Sequence, residues 1–441
     1  MKTPLRFFLL SLTGVASSIL LPGFYAAAQT TVATDPVGFT TTSLLANSDT
    51  RVSIPFTRPA EFTGTISSIS GSTITVAATP GWTANQFAYV PTTQPKTYYA
   101  IIGPNFAAVT GTVNVTNGST AITGTGTAFT TQVVAGDELL VNGNVATVAA
   151  VTSANSLTLA SNFIGPTASG ATATFDHSPK EGSYYTVTAN GTNSLTVNLN
   201  GDSLSTIATS IGNTSVTLIP YWTLGTAFPA SDAGISYIAS TGSSARTRAT
   251  TILLPDLVSA GTDLLPRGSY YNYNGGWHPV GGDPAVSSDD TTLSPTSYFV
   301  VRNMNATTTF TPLGAVYMNR FSTPLDTQTN TAQDNAVAVP RPTAVTLNDL
   351  GLIASGAFIA STGTSARTRA DSLLTYDNTQ PGTDKLPNAV YFYYNGGWRS
   401  VGADPMTDYG TTLIPYGSGF MIRKAISNNG STTFWQNTRN Y

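Results

Sequence analysis

The chain has 441 residues, of which 19 are Lys or Arg and 22 are Asp or Glu, giving a formal charge of only −3. No basic run stands out, which argues against nucleic acid as a partner. Cysteine is absent, which excludes disulfides, thiolate metal sites and cysteine nucleophiles together.

Charged residues make up 9% of the chain, against about 25% in an ordinary protein. Disorder does not follow, because disordered chains lack aromatic and β-branched residues, whereas Thr, Val, Ile and Tyr abound here. With 40 Gly and 26 Pro as punctuation, the composition predicts strands separated by turns. The fold class expected is all-β, in several small β-sandwich or barrel-like modules.

Residues 1–28 read as a signal peptide. Lys2 and Arg6 precede the apolar run "FFLLSLTGVASSILL", and Ala26-Ala27-Ala28 supplies a small-residue cleavage site before Gln29. An uncleaved membrane anchor is the alternative, although the run is short for a span, and no later stretch of about 20 apolar residues follows. Export is therefore expected, to the cell surface, the extracellular space or the periplasm. Cleavage would leave 441 − 28 = 413 residues and a charge of −3 − 2 = −5.

An N-terminal β-domain is expected over 29–106 together with 179–229. "GTISSISGSTITVAA" sets Ile66, Ile69, Ile74 and Val76 in two runs around Ser70-Gly71-Ser72, and "YYTVTANGTNSLTVNL" repeats the form around Asn190-Gly191. Both patterns predict hairpins. Between them, 107–178 has strands of its own, with turns at Asn117-Gly118, Asn142-Gly143 and Ala154-Asn155. In "VTNGSTAITGTGTAF", "AGDELLVNG" and "SLTL" this piece resembles small β-modules of phage tail and other virion proteins. It is read as an inserted β-domain, with a continuous meander as the alternative.

The second half is an internal duplication. "GISYIASTGSSARTRATTILLPD" from Gly234 returns as "GAFIASTGTSARTRADSLLTYD" from Gly356, and "YYNYNGGWHPVGGDP" from Tyr270 as "YFYYNGGWRSVGADP" from Tyr391. Leu265-Pro266, Thr291-Thr292-Leu293, Phe299 and Arg302 recur as Leu386-Pro387, Thr411-Thr412-Leu413, Phe420 and Arg423. The first repeat module is placed at 230–321 and the second at 356–441. The intervening 322–355 is expected to be a linker with an edge-strand element. Its "QDNAVAVPRP" echoes "SDTRVSIPFTRP", pairing Asp334 with Asp49 and Pro340 with Pro55.

"ATDPVGF", "DTRVSIPFTRP", "TPGWTANQF", "IPYWTLGTAFP", the arginine modules and "TLNDLG" together resemble a family of uncharacterised exported β-rich proteins of environmental Gram-negative bacteria. The resemblance spans most of the chain after residue 28 apart from the insert. It implies export and the repeat, and brings no activity with it.

Candidate sites sit on the repeated motifs. In "YYNYNGGW", Asn274-Gly275 suits a tight turn, with Gly276 able to form a bulge beside it. Tyr271, Tyr273 and Trp277 then lie on paired strands, as do Tyr394 and Trp398 in the second copy. Cross-strand packing explains these rings; a platform for a sugar ring is the functional alternative. Arg246 and Arg248, repeated as Arg367 and Arg369, would share one face of a strand. They would clasp Asp283 or Asp289, and Asp404 or Asp408, or else hold an anion or acidic glycan. Asp283, Asp289 and Asp290 form a weak calcium candidate.

Only His177 and His278 exist, Arg399 replaces His278 in the second copy, and Glu61, Glu138 and Glu181 fall in unrelated segments. No catalytic motif emerges, so no catalytic residue and no cofactor is nominated. The expectation is a non-enzymatic structural or adhesive surface protein able to self-assemble, its partners further copies of itself or surface polysaccharide. A carbohydrate-binding pair of modules is the alternative, and a polysaccharide-active enzyme a third.

Overall fold

The computed structural model describes residues 36–178, 180–208, 214–428 and 430–437; the expected signal peptide lies outside them. The regular secondary structure of the described chain is almost wholly strand, as the alternating short runs predict. Each repeat forms a five-stranded antiparallel sheet. In the first, the order is Gly276–Pro279, Gly268–Tyr273, Thr250–Leu254, Phe299–Asn303 and Ser48–Val52; in the second it is Gly397–Ser400, Ala389–Tyr394, Ser372–Thr375, Gly419–Lys424 and Gln333–Ala338. The two orders are the same. Asn274 and Gly275 have φ of 52° and 80°, and Asn395 and Gly396 48° and 75°. That pair of left-handed residues makes the turn whose twist suits a hairpin. Gly276 faces Tyr273 in unbroken register, so no bulge forms.

Two expected boundaries are corrected. The segment 322–355 is not a linker: five of the six side chains of Gln333–Ala338 are buried. This strand completes the second sheet, Phe321–Asp326 pairs with Thr432–Asn437, and Val345–Thr346 pairs with Leu413–Ile414. The same logic removes 37–57 from the N-terminal domain. Val37–Phe39, Thr42–Leu44 and Ser48–Val52 pair with Leu313–Ala315, Thr308–Phe310 and Phe299–Asn303 of the first repeat. Leu44, Val52 and Phe56 share a core with Ile252, Trp277 and Phe299. The echo between "SDTRV" and "QDNAV" marks the same strand in each copy.

Insertions are nested within the first repeat. The second repeat passes from Ala338 to Val345 directly, while the equivalent step from Val52 to Trp222 encloses a closed six-stranded barrel. Its strands run Tyr184–Asn190, Ser194–Asn198, Thr73–Val76, Phe62–Ser70, Ser215–Pro220 and Tyr98–Ile102 around the circuit. All five residues of Tyr98–Ile102 are buried: Ala100 and Ile102 face the barrel interior, while Tyr99 and Ile101 pack outward against Ile219, Tyr221 and Phe321. A further eight-stranded sheet runs from Phe106–Ala108 to Ala173–Asp176 with its own core of Val113, Leu139, Leu157 and Phe175. It occupies the connection between Tyr98–Ile102 and Tyr184–Asn190, which are neighbours in the barrel.

The two repeats are locked together by reciprocal clasps. Arg302 donates to both carboxylate oxygens of Asp49 at 2.6 and 2.7 Å, and reaches Asp384 of the second repeat at 2.6 Å. Arg423 does the same with Asp334 at 2.7 and 2.9 Å, and reaches back to Asp263 of the first repeat at 2.9 Å. The loops that cross are alike. Asp263 and Asp384 have φ of 53° and 50°, and their amides donate to Asp334 and Asp49, each at 2.8 Å. The amides of Asp334 and Asp49 donate to the carbonyls of Gly261 and Gly382, each at 2.9 Å. The repeats thus meet as two copies meet in a two-fold dimer, with the same contacts made in both directions. These loops occupy the outer edges of Ser48–Val52 and Gln333–Ala338.

Candidate functional site

The hairpin aromatics are not platforms. Trp277 and Trp398 are each 1% exposed and Tyr271 2%. Phe228 and Tyr237 cover Trp277 at 5.6 and 5.2 Å, and Phe358 and Tyr393 cover Trp398 at 5.1 and 5.6 Å; Tyr271 lies on the opposite face of the sheet, across from His278. Trp277 Nε1 also donates to the Phe228 carbonyl at 3.1 Å. Tyr273 and Tyr394 are half-buried beside the turns.

The arginine pairs lie on turns, not strands. Ser240 Oγ accepts from the Ala249 amide at 3.2 Å, and the Thr247 and Arg248 amides donate to the Ser244 carbonyl at 3.0 and 3.2 Å. Ser361, Ser365, Thr368 and Arg369 reproduce the loop bond for bond. Gly242 and Gly363 are required for closeness: a Cβ there would meet Thr247 and Thr368 at 2.9 and 2.6 Å. "STG-S-RTR" is therefore the recipe for a self-sealed loop. Arg248 and Arg369 reach over the rings of Tyr271 and Phe392 at 5.6 and 5.7 Å, while Arg246 and Arg367 are exposed.

The aspartate clasps expected for these arginines do not form. Asp289 and Asp408 accept instead from the backbone amides of Trp277 and Trp398, at 2.8 and 2.9 Å. Asp283 and Asp404 cap their own turns through the amides of Ala285 and Met406, each at 2.9 Å. Asp290 accepts from Tyr89, whose phenol is pushed up to about 12, chiefly by that bond. Each carboxylate of the calcium candidate therefore serves a different donor. Among the described residues, the three acids that do converge are Glu138, Asp176 and Glu181. They surround the Arg320 guanidinium beside a gap of about 10 Å³, room for one water at most. No substrate ring can enter.

A cleft of about 400 Å³ lies beside the first hairpin turn, lined by Phe228, Pro229, Gly275, Trp277 and Asp289, and two further clefts form a pair. The first, about 530 Å³, lies between the barrel and the first repeat, with Tyr184 and Tyr221 on one wall and Leu254, Arg267, Tyr270 and Phe299 on the other. The second, about 690 Å³, is lined by Thr375, Asn388, Tyr391 and Phe420, with Thr41, Thr42 and Ser43 opposite. These are the same place in each copy: 375 − 254, 388 − 267, 391 − 270 and 420 − 299 all equal 121. Both volumes fall within the range of about 300–1,000 Å³ usual for ligand pockets.

The walls differ because the repeats have different neighbours. In the first cleft Tyr184 Oη shares a hydrogen bond with Thr296 Oγ1, and Tyr221 Oη one with Thr186 Oγ1, each at 2.9 Å. Burial raises the Tyr184 and Tyr221 phenols above their ordinary value, so both remain neutral hydrogen-bonding groups. Arg267 is exposed at the rim. The second cleft has Asn388 in its place and exposed Tyr416 at its mouth. Sequence reading nominated none of these cleft residues except as members of the repeat; Tyr270 and Tyr391 were visible in the hairpin motif but assigned no site. Comparison of the chain with protein-family models, curated proteins and solved structures finds no match.

Proposed function

We propose that the chain is an exported, non-enzymatic adhesive scaffold that holds polysaccharide in its paired clefts. The observation that carries this reading is the recurrence of one tyrosine- and hydroxyl-lined cleft in both repeats, on sheets braced against each other by the reciprocal clasps. Rigid aromatic walls carrying hydroxyls suit a sugar, whose faces are apolar and whose rim is polar. Two sites on one rigid frame raise avidity without new contacts when both engage one polymer. The resemblance to exported proteins and the signal-like residues 1–28 support a surface location.

The test is retention of the mature chain on a polysaccharide panel, with Arg267→Ala at one cleft and Tyr416→Ala at the other. Both residues are exposed, so folding is preserved. Each variant is expected to weaken retention several-fold, and the double variant more than either. Unchanged retention by the double variant, or no retention by the wild type across the panel, would sink the reading.

A further inference from the structure

Glu138 on the inserted sheet, Asp176 at that sheet's last strand, Glu181 on the return to the barrel and Arg320 before the second repeat form one buried knot. All four are at most 7% exposed. Arg320 Nε lies 2.5 Å from Glu181, Nη1 3.2 Å from Glu138 and Nη2 3.6 Å from Asp176, while Nη1 also donates to Gln436 at 2.9 Å. Asp176 Oδ1 accepts from the amides of Asn105 and Ser178 at 2.6 and 2.9 Å, yet its Oδ2 is buried and accepts no hydrogen bond. A buried carboxylate oxygen without a donor is costly; Glu138 and Glu181 both lie within 4.8 Å, and Glu181 is the one whose carboxyl is in hydrogen-bonding contact with Asp176. A single carboxyl proton between Glu181 and Asp176 satisfies that oxygen and removes a like-charge contact.

We propose that a proton shared by Glu181 and Asp176 latches the inserted sheet to the barrel and to the strap that leads into the second repeat, and that its loss loosens the insert. The Glu181 turn is seated for this. Gly182, at φ +80°, lies against the Arg320 carbonyl, which a Cβ would meet at 2.4 Å, and its own carbonyl accepts from the Ser322 amide at 3.0 Å. Burial, opposed by Arg320 and reinforced by Asp176, raises the Glu181 carboxyl from 4.5 to about 7. The other ionisable groups around the knot have their own partners. Asp137 pairs with His177 at 2.8 Å, with burial raising its carboxyl, and Lys180 turns away to Asp202 at 2.5 Å. A folded value above the unfolded one means that the latch is complete below about 4.5 and is lost as pH rises through about 7.

Amide hydrogen exchange of the whole protein between pH 5.5 and 8.5, corrected for intrinsic rates, tests the latch. Strands Glu138–Val141 and Ala173–Asp176 are expected to lose protection by up to about tenfold per pH unit near neutrality, the limit for one proton. Gly419–Lys424 serves as an internal reference. Glu181→Gln, which keeps a neutral donor, is expected to flatten the response, and Asp176→Asn to do the same from the other side. A pH-independent wild type would overturn the proposal. So would calcium restoring protection at high pH in the wild type alone, since the knot would then hold a cation rather than a proton.

Discussion

The two repeats offer the same fold twice with different interiors. Where Thr250 Oγ1 bonds Asn303 Oδ1 at 2.7 Å in the first sheet, the second has the fully buried ion pair of Asp371 and Lys424. Asn303 is further satisfied by the Leu44 carbonyl and Thr308, and Lys424 by the Ala357 carbonyl at 2.6 Å. A neutral pair and a charged pair thus do the same job of joining neighbouring strands. His278 and Arg399 show a similar exchange: both ring nitrogens of His278 face carbonyl oxygens, of Val286 and Tyr273, at 2.9 and 3.0 Å. Arg399 in turn donates from Nη1 to the Met406 carbonyl at 3.4 Å, so each residue ties the hairpin to the loop that follows it. What differs least is what packs or clasps: Trp277 and Trp398, Arg302 and Arg423.

The comparison can be broken most sharply at the tryptophans. Trp277→Ala and Trp398→Ala are each expected to cost about 3–5 kcal/mol, read as a fall in the urea midpoint of the repeats. A cost under 1 kcal/mol at either would restore the exposed-platform reading. Next, Lys424→Met should cost about 3–5 kcal/mol by stranding a buried Asp371, against about 1–3 kcal/mol for Asn303→Ala. The double exchange Asp371→Thr with Lys424→Asn should recover most of that loss if the sites are interchangeable. Arg302→Ala and Arg423→Ala should each cost about 2 kcal/mol, since their solvent access discounts the pairs. Unequal costs would mean that the interface is less symmetric than its bonds. Smallest of all, His278→Arg should shift stability by less than about 0.5 kcal/mol, whereas His278→Ala should shift it more.

The duplication was legible because it is written in ordered motifs, and the echo of Asp49 in Asp334 located the edge strand of each copy. The clasp loops repeat as well, as Gly261-Thr262-Asp263 and Gly382-Thr383-Asp384, but nothing local in them says that each crosses to the other copy. The spacing of the paired arginines suggested a strand face; the serines and glycine around them were the stronger signal, since they bond or yield to backbone locally. Barrel closure could not be read. It pairs Ser215–Pro220 with Phe62–Ser70 and with Tyr98–Ile102, and no local pattern specifies such distant partners. Nor could burial of Trp277, because alternation shows two faces and not which of them another segment will cover. The Arg320 knot joins 138, 176, 181 and 320, a grouping that only the nested topology creates.

That nesting separates the copies in time as well as in space. Phe299 meets Val52 across 299 − 52 = 247 residues, whereas Phe420 meets Val337 across 420 − 337 = 83. Closing the longer span costs only about 1 kcal/mol more in chain entropy, but distant pairings form late. The C-terminal sheet is therefore expected to assemble ahead of its twin and present the Gly382–Asp384 loop as a ready mould. The strand Ser48–Val52, among the first segments made, would be among the last to find its place.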